Sequence, residues 1–178
     1  MRGPGTTSPV ERPSQPVGAS PQGFKSPPQR LPPAETDPVL VTLGYEKRTL
    51  DEFLELLREA GVERLVDVRQ NAFSRKPGFT KKFLTKALEH AGIEYVHMPM
   101  LGCTRPMRKA LREGGPVDAY LQDYARHLDA ETEAIDRLER LARERPTAVM
   151  CMERSLERCH RTVLAKHLEA AGLSLRHL

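Results

Sequence analysis

Near its carboxyl end the chain reads Cys151-Met152-Glu153, then Arg158-Cys159-His160-Arg161: a thiol pair, a carboxylate, an imidazole and two guanidiniums in a short span. These types can do covalent chemistry together. Thiolate is the nucleophilic form of cysteine, and a positioned Glu or His can take up its proton and return it. Arginines nearby favour the thiolate and hold phosphate or carboxylate groups in their planar fork. Cys151 therefore reads as a nucleophile or redox thiol, with Glu153 or His160 handling protons. Each residue also has a plainer reading. Cys151 ends an apolar run, where cysteine often serves as a small hydrophobe. Cys159 falls on the stripe Leu156, Cys159, Val163, a position for core filler. His160 flanks that stripe as a hydrogen-bonded core histidine would, and Arg158 and Arg161 read as solvated charges.

Which reading holds depends on the elements that carry these residues. Val39 to Leu43 is a short apolar run ended by Gly44, a buried strand. Thr49 with Glu52 three residues on forms a capping box, opening a helix whose inner face is Leu50, Phe53, Leu54 and Leu57; Gly61 ends it. Residues 64–69 read as a second strand, 70–79 as a polar loop, and a helix from Thr80 carries Phe83, Leu84, Ala87, Leu88 and Ala91 inward. Residues 93–98 make a third strand. A connection over 102–116 is rich in Arg, Lys, Gly and Pro, and helices follow at 117–128 and 130–144. Residues 147–152 form a fourth strand, a helix runs over 156–171 from an N-cap at Ser155, and 173–178 close as a strand. No internal repeat is visible. Strands alternating with helices imply an α/β fold of the three-layer, Rossmann-like kind, a mostly parallel sheet with helices on both faces.

In such sheets ligands bind beyond the carboxyl ends of the strands. Residues there are Tyr45 and Lys47, then Arg69, Ser74 and Arg75, then His97, then Cys151 and Glu153. With the last helix opening just after Cys151, its free amides and the arginines would favour a thiolate and hold an anion on the same rim. Arg69 ends a buried strand and needs a partner, which Asp67 can supply.

The rest of the composition sets bounds. Ten of the 15 prolines precede residue 39, and apolar residues there are isolated, so 1–38 reads as a disordered Pro-rich tail ahead of one domain over 39–178. That tail contains no apolar core of a secretory signal, and no run in the chain suits a membrane span. Three cysteines without an export signal argue for reduced thiols and a cytoplasmic protein. Net charge is +4, too small to announce a nucleic-acid binder by itself.

Several sites are disfavoured. Cys103, Cys151, Cys159, His97 and His160 offer metal-ligand types, but no Cys-x-x-Cys pair exists, and on a helix adjacent Cys159 and His160 would point about 100° apart. No metal is assigned. A tyrosine-phosphatase loop would need arginine at the position of Glu157. The order strand, cysteine, helix, with Val66-Asp67-Val68-Arg69, has the shape of sulfur-transferring rhodanese-like domains, yet Cys151 to Leu156 lacks the glycines of such a loop.

Four stretches carry a closer likeness: Gly44-Tyr45 with Thr49 to Phe53; Val66 to Arg69 leading to Ser74-Arg75-Lys76-Pro77-Gly78-Phe79; Gly92 to His97; and Cys151-Met152-Glu153 spaced to Cys159-His160-Arg161. In this combination the chain resembles a bacterial and archaeal family, domain of unknown function 488. The resemblance covers about 40–178 and implies that Arg69, Ser74, Arg75, Cys151, Glu153, Cys159, His160 and Arg161 act as one constellation. It implies no reaction. Cys103 stands where similar members have a second glycine after Leu-Gly, and is assigned no role.

Two function classes follow. In the first, the chain is a cysteine-dependent enzyme: Arg69, Arg75 and Arg161, with Tyr45 and Ser74, hold an anionic, phosphate-bearing or nucleotide-like substrate, and the segment around Arg105, Arg108, Lys109 and Arg112 closes as a lid. In the second it is a nucleic-acid or phosphate-binding module without chemistry, using the same arginines, Lys81, Lys82 and that segment, with Phe73 or Phe79 for stacking. Rhodanese-like sulfur transfer is a further alternative. The sequence assigns no cofactor and no oligomeric state.

Overall fold

A computed structural model describes residues 39–178; the Pro-rich tail expected over 1–38 lies outside the described residues. Five strands, β1 (Val39–Gly44), β2 (Arg64–Asp67), β3 (Glu94–His97), β4 (Thr147–Cys151) and β5 (Ser174–His177), form one sheet in the order β3-β2-β4-β1-β5. Every pairing is parallel, with Gly44 opposite Cys151 and Asp67 opposite both Met150 and His97. The helices are α1 (Leu50–Glu59), α2 (Lys81–His90), α3 (Arg105–Arg112), α4 (Val117–Asp129), α5 (Thr132–Glu144) and α6 (Arg161–Ala170).

The period of two along each strand divides the core. Val41, Leu43, Leu65, Ala148 and Met150 face a cluster completed by Phe53, Leu54 and Leu57 of α1 and Leu84 and Leu88 of α2. Leu40, Val66 and Val149 face the opposite cluster, built from Tyr124 and Leu128 of α4, Leu138 of α5 and Leu164 and Leu168 of α6. The expected α/β architecture with helices on both faces is therefore present, since strands buried on both faces need cover on both. Among the described residues no helix is long and apolar enough to cross a membrane.

Local chemistry sets the element ends. Thr49 accepts from the Glu52 amide at 3.2 Å while the Glu52 carboxylate accepts from the Thr49 amide at 2.6 Å, the expected capping box. Three expectations change. The basic connection over 102–116 contains a helix, α3, with Pro106 in its first turn and no fully buried residue. Phe83, expected inward, is 63% exposed, because only Leu84 and Leu88 of α2 reach the sheet.

The third change moves the site. The last helix begins at Arg161 and not after Ser155. The Ser155 hydroxyl does accept from the Glu157 amide, at 3.3 Å, but within a turn, and Cys159 N bonds back to Leu156 O at 2.9 Å. Side-chain to backbone bonds of this kind offer the chain an alternative to helix. Residues 152–160 are consequently a loop.

Thr49→Ala removes one half of the capping box. It is expected to destabilise the protein by about 1 kcal/mol, read as a shift of the urea midpoint at unchanged m-value.

Candidate active site

Parallel strands put all their carboxyl ends on one edge, and the strand order opens a crevice there. After β1 and β2 the chain turns to the face carrying α1 and α2. After β4, which lies between them, it turns to the face carrying α6. Neighbouring chain segments thus part in opposite directions, as at the switch points where α/β sheets bind ligands. A cavity of about 220 Å³ occupies this place, lined by Tyr45 after β1, Arg69 after β2, and Cys151, Glu153 and His160 after β4, with Cys103, Arg108, Tyr120 and Phe73 around them.

Residues 152–160 fold back so that four functional groups meet. Cys151 Sγ lies 2.7 Å from Glu153 Oε2 and 3.9 Å from His160 Nδ1; Cys159 Sγ lies 3.7 Å from Glu153 Oε2 and 4.0 Å from His160 Nδ1. His160 packs its ring edge-on against Tyr124 at 4.8 Å, and its Nε2 is buried without a partner among the described residues. Nδ1 is thereby the ring atom turned to the sulfurs.

Arg161 fixes the loop. It was read as a solvated charge, but its side chain is buried, with Nε donating to Cys159 Sγ at 3.2 Å and Nη2 donating to the Glu153 carbonyl. The two thiols are pushed in opposite directions. A hydrogen bond from Cys151 holds Cys159 below the ordinary thiol range against the opposing effect of burial, with His160 and Arg161 adding to it. Cys151 is pushed the other way by that hydrogen bond and by its own burial. The helix start expected just after Cys151 in fact lies two residues after Cys159. The helical stripe on which Cys159 was placed is absent for the same reason, although the residue is fully buried.

Arg69, expected to hold an anion, is hydrogen-bonded within the protein. Nε and Nη2 donate to the Asp67 carboxylate at 2.6–3.1 Å, and Nη1 donates to the Phe79 carbonyl at 2.8 Å and the Tyr45 hydroxyl at 3.3 Å. The expected Asp67 partner is present; burial opposes the charge, but the hydrogen bonds and charge of Asp67 together with Tyr45 hold the guanidinium above its usual range. Arg69 forms the cavity wall with its donors engaged. Ser74 and Arg75 lie outside the cavity. Ser74 Oγ accepts from the Lys76 amide at 3.1 Å, and both residues line a neighbouring groove of about 620 Å³ with Lys47, Lys76 and Arg112. Tyr45, Phe73 and Met152 border cavity and groove alike. His97 is turned away, accepting no thiol contact and lying 2.9 Å from the Arg69 carbonyl.

The sequence reading assigned Cys103 no role, placed Arg108 in a lid segment, used Gly44 as a strand end and a family-like position, and did not single out Tyr120 as a site residue. Only position relative to the edge could have flagged Cys103, Arg108 and Tyr120 as lining the cavity. Gly44 has a steric role: a Cβ there would stand 1.8 Å from the Glu153 carbonyl oxygen, so only glycine lets the loop lie across the end of β1.

A family model described as "Domain of unknown function DUF488" matches residues 49–168. The chain belongs to that family, in line with the resemblance carried by its four stretches. No curated protein and no solved structure matches the chain.

Gly44→Ala is expected to push residues 153–154 off the strand end at a cost of about 1–3 kcal/mol. Chemical denaturation reads the loss, and a changed rate of Cys151 modification in the folded state reads the displaced loop.

Proposed function

We propose that the chain is a cysteine-dependent enzyme acting on an anionic, phosphate-bearing or nucleotide-like substrate at the carboxyl edge of its sheet. One observation carries this reading: Cys151 lines the cavity with a carboxylate and an imidazole nitrogen both within reach of its sulfur. As the sulfur attacks an electrophilic centre, its proton passes to Glu153 or His160, and the same group returns it to the leaving group. Cys159, fully buried behind it, is the second thiol available to the pair.

The anionic part of the substrate falls to cations whose donors are free. Arg69 is engaged by Asp67, Tyr45 and the Phe79 carbonyl, and Arg161 is buried with Nε and Nη2 committed to Cys159 and the Glu153 carbonyl. Lys47, Arg75 and Arg112 in the adjoining groove remain, while Arg108 at the cavity wall already donates to the Cys103 carbonyl and the Gln70 side chain. A substrate reaching from groove to cavity would pass Phe73, which is 65% exposed at their junction and can stack on a base or ring.

Under this reading a thiol alkylator applied to the folded protein near neutral pH labels Cys151 ahead of Cys103 and Cys159, and Cys151→Ser abolishes native-state labelling. Peptide mapping after brief exposure decides it; equal labelling of all three, seen only on unfolding, removes the enzyme reading.

A second reading rests on α3, where Arg105, Arg108, Lys109 and Arg112 stand on a helix with no fully buried residue beside the exposed Phe73. As a nucleic-acid module the chain would use this helix and the groove as a phosphate-contacting surface and need no thiol. With about four phosphates neutralised, single-stranded binding would weaken roughly fifty-fold between 50 and 200 mM salt and survive Cys151→Ser. Fluorescence anisotropy with a labelled oligonucleotide tests this; salt-insensitive or absent binding excludes it.

A further inference from the structure

We propose that Cys151 Sγ, Cys159 Sγ, His160 Nδ1 and the Glu153 carboxylate form a binding site for a thiophilic divalent cation of the zinc class. The inference concerns the side chains of the thiol reading but rests on their geometry alone, and it names a control over that site. The four donor atoms all lie within 4.8 Å of one another. A tetrahedral zinc ion with bonds of about 2.0–2.3 Å holds its ligand atoms about 3.3–3.8 Å apart. Four of the six edges here measure 2.7, 3.7, 3.9 and 4.0 Å. Three of these edges need shifts of a few tenths of an ångström at most, the two remaining edges are no longer than 4.8 Å, and the short Cys151–Glu153 edge has to open.

The donor set selects the ion. Two sulfurs with imidazole suit zinc and disfavour magnesium or calcium, which take oxygen. His160 presents the correct atom: Nδ1 faces both sulfurs while Nε2 is buried and unpartnered on the far side. Arg161 supplies the surrounding support, since its Nε donor to Cys159 is the kind of contact that orients a ligating sulfur and moderates its charge. Three of the donors are buried, and Glu153 is half-buried on the cavity side. The argument that set a metal aside, Cys159 and His160 diverging on a helix, does not hold, because both residues precede α6.

Bound cation and free nucleophile exclude each other at this place. Ligation occupies the sulfur lone pairs and releases the thiol protons, so the metal-bound form cannot be alkylated at Cys151 and the metal-free form can.

The test uses the full chain, stripped with a chelator under reducing conditions and titrated with Co²⁺ as a spectroscopic stand-in for zinc. One Co²⁺ per chain should give tetrahedral visible bands with sulfur charge transfer in the near ultraviolet, bleached by stoichiometric Zn²⁺. Cys159→Ser should weaken binding by at least about tenfold and cut the charge-transfer intensity. Glu153→Gln, at a half-buried position, should weaken binding while keeping the sulfur bands. Cys103→Ser should leave both unchanged, and far-ultraviolet circular dichroism checks that each variant is folded. Absence of charge transfer at stoichiometric Co²⁺, bands that survive the Cys151→Ser/Cys159→Ser double variant, or bands lost with Cys103→Ser overturn the proposal. Alkylation separates it from the enzyme reading. Cys151 labelling in the stripped chain that Zn²⁺ fails to block sinks the metal site and leaves the thiol reading standing; stoichiometric Zn²⁺ binding with no labelling in the stripped chain does the reverse.

Discussion

The buried guanidinium of Arg161 ties both ends of the loop that carries the cluster. Its Nε reaches the Cys159 sulfur at one end and its Nη2 the Glu153 carbonyl at the other, while the side chain is only 1% exposed. A guanidinium stays charged at any ordinary pH and presents its donors in a rigid fork, so it can bridge two acceptors that a lysine would serve one at a time. Taking that charge out of water is expensive unless an opposite charge and good hydrogen bonds meet it. Cys159, held below the ordinary thiol range by the hydrogen bond from Cys151 with His160 and Arg161 adding to it, is the acceptor that meets the guanidinium. Arg161 is also the first residue of α6, so packing of Leu164 and Leu168 on the sheet places the guanidinium.

Asp67 and Arg69 repeat this logic on the other side of the crevice. The carboxylate is fully buried, and the guanidinium over it is capped by Tyr45 and the Phe79 carbonyl. Tyr45 in turn stacks on Phe79 with ring centroids 4.4 Å apart. The result is a rigid, neutralised wall. Strong hydrogen bonding makes Arg69 a structural member of the wall, so in the proposed reading the task of meeting an anion falls to the solvated cations of the groove.

The proposed thiol chemistry and the proposed cation site draw on one set of atoms between these two walls. Cys151, Cys159 and Glu153 can carry three negative charges at close quarters, and Arg161 is the permanent cation in contact with them. In the two proposals that surplus is met by protons or by a divalent ion. Both solutions use the same lone pairs.

Sequence alone determined what is local or periodic. The Thr49–Glu52 capping box spans three residues and involves only their own side chains and amides, so it survives any tertiary context. Apolar runs at Val39, Leu65 and Ala148 could only be strands buried on both faces, and with helices between them they dictated a parallel sheet whose carboxyl ends share an edge. Tertiary structure decided where the last helix starts. Leu156, Cys159 and Val163 fit a helical period whether or not residues 156–160 are helical, so the pattern could not distinguish helix from loop. Arg161 bonding back to Glu153, and Gly44 making room for that loop, are contacts between segments that no local rule reports. Those contacts turned Cys159 and His160 from apparent flank positions into neighbours of Cys151, because a side chain's direction belongs to the backbone that carries it, and that backbone was fixed from across the sheet.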